Sequence, residues 1–459
     1  MDSNSMPDFK NDAFKGVIGV AQVDMTPPAD IFARSWGAAR HDRAEGIHMP
    51  LLLTCVTLRA SREDRPFVLL SADLGVWRDA AVGEKIREAI LREFSVPLSQ
   101  LMFCLTHTHA GPVLSPDDAE KPGGDLIEPY IAALTGKVLE AVRAAMDTAV
   151  PAVLTWNYGT CRLAENRDFE DKKGGGVVTG FNPSKSADDT LLVGRITDLA
   201  NNITGVLVNY ACHPTTLAWE NRLISPDYVG AMREVIRRHT DAPCLFLQGA
   251  SGELAPRRQY VADTKIADSN GRTLGHAVLA ALEDMLPAGI KLSFDKVVRS
   301  GADLGVWRAE PYEVSGTLEA AVTEVTYQLK PMPSLKEIEQ QYRATEDRVA
   351  RERLWRQRSL RINLGDGDSA KVGLWAWRVG DALLIGQPNE AYSEFQIKIR
   401  SEIPGAIAVI NLANGSAGYL APRALYDKRI YQVWQSPFMA GSLERLYEAT
   451  LQMIKGISL

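Results

Sequence analysis

The chain is poor in the residues that staple small proteins or build zinc knuckles. Five cysteines, Cys55, Cys104, Cys161, Cys212 and Cys244, are spread over 459 residues. Their odd number and wide spacing argue against a disulfide framework, and no C-x-x-C pair is present. They read as small buried apolar side chains in a reducing compartment. A surplus of positive charge is also missing, since 51 Lys and Arg stand against 57 Asp and Glu for a net charge of −6. A mildly acidic chain without a basic stripe suits neither nucleic acid nor an anionic membrane surface. No apolar run reaches the roughly 18 residues of a membrane span. The polar start, MDSNSMPDFKNDAFKG, lacks the apolar core of a secretory signal. These absences predict a cytoplasmic protein with small-molecule partners.

What is present is an alternation. Short apolar runs occupy 17–23, 51–58, 66–72, 101–106, 205–212, 242–249, 381–387 and 406–413. Many carry Val, Leu and Ile at successive positions, the pattern of strands covered on both faces. Stretches with helical spacing lie between them at 80–93, 128–146, 227–239, 269–285 and 389–402. The alternation predicts an α/β fold class, with mixed sheets flanked by helices in one large catalytic domain over 16–459. Residues 1–15 read as a flexible tail. Segments 113–129, rich in Pro, Gly and Asp, and 171–189, with a glycine run, read as loops. Residues 335–360 read as a charged helix with a solvated face. The heptapeptide ADLGVWR occurs at 72–78 and again at 302–308, and no tandem duplication accounts for it.

Histidine is scarce too, with seven copies, and its placement is uneven. His107 and His109 form T-H-T-H directly after the run 101–106, and on a strand they would share one face. His213 follows the run 205–212, Glu390 follows 381–387, and Tyr419 follows 406–413. Each of these runs ends near a side chain with a lone pair. In open α/β sheets, sites form beyond the carboxyl ends of strands. Two or three histidines with a carboxylate make the ligand set of a catalytic zinc with an open position. The competing reading is separate, locally hydrogen-bonded histidines, and it suits most of His41, His48, His239 and His276. Ser251 sits in a Gly-rich turn after a strand, but G-A-S-G-E is not the G-x-S-x-G of a nucleophile elbow. Glu253 reads as a solvated or capping carboxylate, or as a supporting group near a metal. Arg167 reads as a surface ion pair or as a clamp for a carbonyl oxygen.

A set of motifs adds to this. G-V-A-Q-V-D-M-T-P-P (19–28), S-A-D-L-G (71–75), T-H-T-H-A-G-P (106–112), N-R (166–167), C-H-P (212–214), G-E-L-A-P (252–256), P-N-E (388–390) and N-G-S-A-G-Y (414–419) follow one another along nearly the whole chain. In content and order they resemble the catalytic domain of the neutral/alkaline ceramidases. The resemblance implies a zinc amidohydrolase that cleaves the N-acyl bond of ceramide with a metal-activated water. It implies Zn2+ held by His107, His213, Glu390 and Tyr419. His109 and Arg167 would then be catalytic, contacting the scissile carbonyl or the polar head of the substrate. Tyrosine is an uncommon zinc ligand, so Tyr419 rests on the resemblance.

Departures from the family bear on the substrate. Gly249 occupies the position of the family's serine. The chain stops at Leu459, so the family's C-terminal immunoglobulin-like domain is expected to be absent. The start shows no signal, whereas the family's enzymes are secreted or membrane-associated. A serine nucleophile would not survive Gly249, but a metal-activated water needs no serine. The expected substrate is therefore a small or lipid-like N-acyl or O-acyl compound, with long-chain ceramide poorer than shorter or more polar ones. A zinc esterase or amidase for a small soluble substrate and a metal-binding protein without turnover are the alternatives.

Overall fold

All eight apolar runs form strands, and they divide between two mixed sheets. The computed structural model describes residues 8–174 and 176–457. The larger sheet runs, edge to edge, Cys244–Gln248, Ile203–Tyr210, Thr190–Asp198, Val150–Thr160, Ala13–Asp24, Leu52–Arg59, Phe67–Ala72 and Leu101–Leu105. The smaller runs Leu318–Gln328, Ser369–Val379, Ala382–Gly386 and Ile407–Ile410. The outermost pairs of the larger sheet are parallel, as is Ala382–Gly386 with Ile407–Ile410, and the other pairings are antiparallel.

Period-two alternation explains why the runs are apolar on both faces. In Leu101–Leu105, Leu101, Phe103 and Leu105 turn to one core, whereas Met102 and Cys104 turn to another. The first core lies under helices α1 (Ala80–Phe94) and α2 (Ile127–Asp147). Helices α3 (Tyr228–Thr240) and α4 (Thr264–Glu283) cover the same face further along the sheet. The second core lies between the sheets, where Trp156 and Leu245 share a cluster with Trp377 and Ile410. Burying one such Leu, Ile or Phe contributes roughly 1.5–3 kcal/mol. After the smaller sheet begins come α5 (Leu335–Ala344), α6 (Arg348–Leu364), α7 (Ser393–Glu402), α8 (Tyr431–Gln435) and α9 (Ser442–Gly456). Helices α7 and α9 cover the outer face of the smaller sheet through Phe395, Ile399, Leu446 and Ile454. The layers are α/β/β/α.

Several expectations change. Order begins before residue 16: Phe9 bonds to Leu292 through the backbone, and Ala13 and Phe14 are fully buried in the first strand. The part of the expected tail at residues 1–7 lies outside the described residues. The stretch 389–402 opens as a short strand, Asn389–Ala391, and becomes helical at Ser393. Residues 335–360 form two helices, and α6 is no solvated rod, because Glu352, Trp355 and Arg361 are buried on it. Segment 113–129 is a pair of 3-10 turns leading into α2, and 171–189 contains a short strand, Gly176–Thr179. The two copies of ADLGVWR share no setting. The first leaves a buried strand, and the second lies on an exposed hairpin. Among the described residues no helix is long and apolar enough to cross a membrane.

Candidate metal centre

The strand Leu101–Leu105 stops before T-H-T-H, and His107 lies in the left-handed backbone region with φ +71. That region costs most residues free energy, and His is among those that visit it more readily. The turn is pinned by His107 N donating to Leu74 O (2.9 Å) and Thr108 Oγ1 donating to Ser225 O (2.7 Å). The strand-face argument for His107 and His109 therefore fails, since neither lies on the strand. The turn, not the pleat, sets their rings 4.8 Å apart. His213 follows Ile203–Tyr210. Glu390 and Tyr419 are direct register partners in a parallel ribbon of Asn389–Ala391 and Gly418–Leu420.

These four side chains meet. His107 Nε2 is 3.2 Å and His213 Nε2 is 3.1 Å from the same oxygen of Glu390, Oε2. Tyr419 Oη is 3.4 Å from His213 Nε2. The other ring nitrogens face backbone carbonyls, His107 Nδ1 to Gly75 O at 2.9 Å and His213 Nδ1 to Ser251 O at 2.7 Å. A carbonyl only accepts, so each Nδ1 carries the proton and each Nε2 of a neutral ring offers its lone pair. Burial, reinforced by Arg167, pushes His213 down to about 3, so its ring is neutral near pH 7. Its lone pair then confronts a carboxylate oxygen, acceptor against acceptor. A divalent cation relieves that conflict. Donors ~2.0–2.1 Å from a tetrahedral zinc ion stand roughly 3.3–3.4 Å apart, close to the separations found. Backbone carbonyls on the second ring nitrogen are also how metal-binding histidines are oriented. The donor set fits a divalent metal ion.

Two further residues stand beside it. The donor nitrogens of His107, His109 and His213 lie within 4.8 Å of one another, a group that can hold a metal ion. Glu390 is nevertheless closer to His107 and His213 than that. The His109 ring is 5.2 Å from Trp36, and its Nε2 is buried with no hydrogen-bond partner among the described residues. Burial, then His107, draws the His109 pKa well below 6.5. It is a neutral imidazole with one nitrogen unspent. Arg167 is buried, not a surface ion pair. Its Nη2 donates to Gly252 O at 2.6 Å and faces Tyr419 Oη at 3.3 Å and His213 Nε2 at 3.2 Å. Burial and Glu390 push the Tyr419 phenol well above 10.

A cavity of about 150 Å3 opens onto this cluster. His107, His109, Glu390 and Tyr419 line it, facing Trp77 and Arg78 and, from α6, Arg356 and Leu360. Sequence reasoning passed over these last four. Trp77 and Arg78 belong to the first ADLGVWR copy, which was their only visible signal. Gly75 and Ser251 act through backbone carbonyls, which have no sequence signal. Ser251 Oγ accepts from Gln248 Nε2 at 2.6 Å, is buried and does not line the cavity. That disposes of Ser251 as a nucleophile. At Gly249 an added Cβ would stand 2.9 Å from Ala211 backbone atoms, so serine does not fit without displacement. Glu253 is a cap and is not solvated: it is buried and accepts from Ser393 N, at 3.0 Å from one oxygen, where α7 begins.

The structure is thus an α/β chain with a buried histidine–carboxylate cluster able to hold a metal ion. Its fold is that of the neutral ceramidases. A ceramidase complexed with C2 superposes with a TM-score of 0.69 at 16% identity, covering 96% of this chain and 74% of that one. The neutral ceramidase from Pseudomonas aeruginosa gives 0.67 at 16% identity over the same shares. No family model and no curated protein matches the sequence. At this identity the likeness establishes the fold, and in the fold the resemblance read from the motifs holds.

Proposed function

We propose that the chain is a metal-dependent amidohydrolase of the neutral ceramidase type, with zinc as its ion. His107, His213, Glu390 and Tyr419 hold the ion in this reading, and His109 and Arg167 serve the reaction. The observation that carries it is the meeting of two proton-fixed imidazoles on one Glu390 oxygen, inside a fold shared with ceramidases. When bound, such an ion polarises a carbonyl oxygen and makes a water acidic enough to attack near pH 7.

The residues divide the remaining work. Arg167, fixed by Gly252 O, does not line the cavity itself but stands as a permanent positive donor against Tyr419 Oη and His213 Nε2, from where its charge would favour an oxyanion at the cluster. His109 keeps a free nitrogen at the cavity wall, where it would take the proton lost by the attacking water and hand it to the departing amine. Both belong to the site, which argues against a metal-binding protein without turnover. Trp36 and the wall of α6 shield the cluster from bulk water. A cytoplasmic location stays part of the proposal, supported by five thiols that are all buried and unpaired. So does a single hydrolase domain, starting at the first strand.

A second reading concerns size. A cavity of 150 Å3 is about the room that benzene occupies in an engineered apolar cavity. That favours a small amide or ester over a substrate with two long chains. The test is elemental analysis of the purified chain, followed by fluorogenic N-acyl and O-acyl substrates with and without chelator. Turnover that survives complete removal of the metal defeats the proposal.

A further inference from the structure

Two arginines of the cavity wall, Arg78 and Arg356, belong to a charge network. Glu352 of α6 receives three guanidinium groups: Arg356 at 3.2 Å, Arg78 at 3.3 Å and Arg34 at 3.4 Å. Arg34 also pairs with Asp42 at 2.9 Å, and Asp42 pairs with Arg348 at 2.7 Å. Arg348 is 42% exposed, so in the buried part of this network three arginines meet Glu352 and the part-exposed Asp42, which leaves one positive charge over. The Arg78 side chain is 8% exposed, and its Nη1 is buried with no hydrogen-bond partner among the described residues. Arg78 and Arg356 both line the cavity that His107, Glu390 and Tyr419 line.

A buried cation without a counter-charge is strongly unfavourable, and an unmade hydrogen bond adds to that. A structural role explains the contacts that these arginines make with Glu352. It does not explain the charge left over, nor why the spare donor belongs to a residue lining the substrate cavity. Arginine's planar fork matches a carboxylate better than any neutral group.

We infer that Arg78 forms a carboxylate subsite, with Arg356, whose nitrogens already bond Glu352, Tyr431 Oη and Ser35 O, adding charge beside it, so that the substrate is an amide bearing an acidic group within reach of the metal centre. This rests on the amidohydrolase reading and narrows its substrate class. The carboxylate comes from one of two places, the amine part, as in an N-acyl amino acid, or the far end of a short acyl part. Either way, a neutral sphingoid amide leaves the spare charge unmatched.

The test uses matched pairs on the metal-loaded full chain. N-hexanoyl-alanine is compared with its carboxamide, and a glutaric acid mono-anilide with its methyl ester. A hydrogen bond to a charged group corresponds to roughly a ten- to hundredfold effect. The expected result is a preference of that size for the acid in one pair, expressed mainly in KM. Arg78→Met should collapse the ratio towards one, and Arg78→Lys should restore part of it. Wild-type ratios within twofold of one in both pairs overturn the inference and leave the hydrolase intact. If no amide is cleaved at all, the hydrolase reading fails, and calorimetry with hexanoate against hexanamide decides the subsite separately. Hexanoate binding that weakens at least tenfold in Arg78→Met supports it. Equal binding by wild type and variant places the anion on the metal alone and overturns it.

Discussion

His107 and His213 point their Nε2 atoms at a single oxygen of Glu390, although the glutamate lies 283 and 177 residues away from them in the chain. Each ring is locked by a carbonyl behind it, so both lone pairs are aimed before any ion arrives. Removing one ring should therefore remove the ion. Elemental analysis of His213→Ala is expected to show metal largely lost against a wild type near one per chain. Full retention of metal in that variant would dismiss the centre as described.

His109 and Arg167 should matter in a different currency. Both stand beside the cluster, and neither is needed to complete four donors. His109→Ala and Arg167→Met are expected to keep the metal while kcat falls about 10²–10³-fold each, the usual cost of a lost oxyanion donor or proton carrier. If His109→Ala empties the centre and His107→Ala does not, the two histidines have exchanged roles.

Two buried glutamates should tilt the pH dependence of stability in opposite directions. Burial would raise Glu352, but Arg78, Arg356 and Arg34 outweigh it and hold the carboxyl down to about 2. Its stabilisation is present above the unfolded value of ~4.3 and disappears as pH falls through about 2. Burial raises Glu253 to about 7, against the bonds from Ser393 that favour its charge. Its contribution is complete below ~4.3 and is lost as pH rises through about 7. In urea titrations Glu253→Gln should flatten the decline between those two values. Glu352→Gln should cost about 3–5 kcal/mol near pH 7, because it leaves buried guanidinium groups unmatched. A Glu253→Gln profile parallel to wild type would contradict the first claim, and a loss under 1 kcal/mol the second.

Chain length of the substrate offers another check. Long-chain ceramide in mixed micelles should give a lower kcat/KM than short N-acyl or O-acyl compounds in solution. The motives are the 150 Å3 cavity and the α6 residues Arg356 and Leu360 that line it. A clear preference for the long-chain lipid would mean that α6 moves aside to admit it.

Much of the fold was legible because its strands are covered twice. Leu101 to Leu105 serves two cores at once, and such continuous apolar runs stand out in any sequence. His107, His213 and Glu390 were legible because strand ends are where donors gather. The role of α6 was not. Its letters, RVARERLWRQRSL, look like a solvated helix, and a single sequence does not distinguish charges facing water from charges folded around Glu352. The pleat argument for His107 and His109 reached the right neighbourhood by a wrong route, since a left-handed turn intervenes. Nothing in the letters of Gly75 or Ser251 announces that their carbonyls hold the imidazoles.

The parallel ribbon that joins Glu390 to Tyr419 has a consequence in time. Its register makes the two residues exact neighbours across one rung, and their histidine partners are made far earlier during synthesis. A nascent chain that has emerged only as far as His213 owns half of the cluster and no way to close it. Ion capture should therefore come late, after both sheets have docked, and should report completion of the whole architecture rather than assist its beginning. Refolding followed with a metal-sensitive dye should show the ion taken up after the helical signal returns.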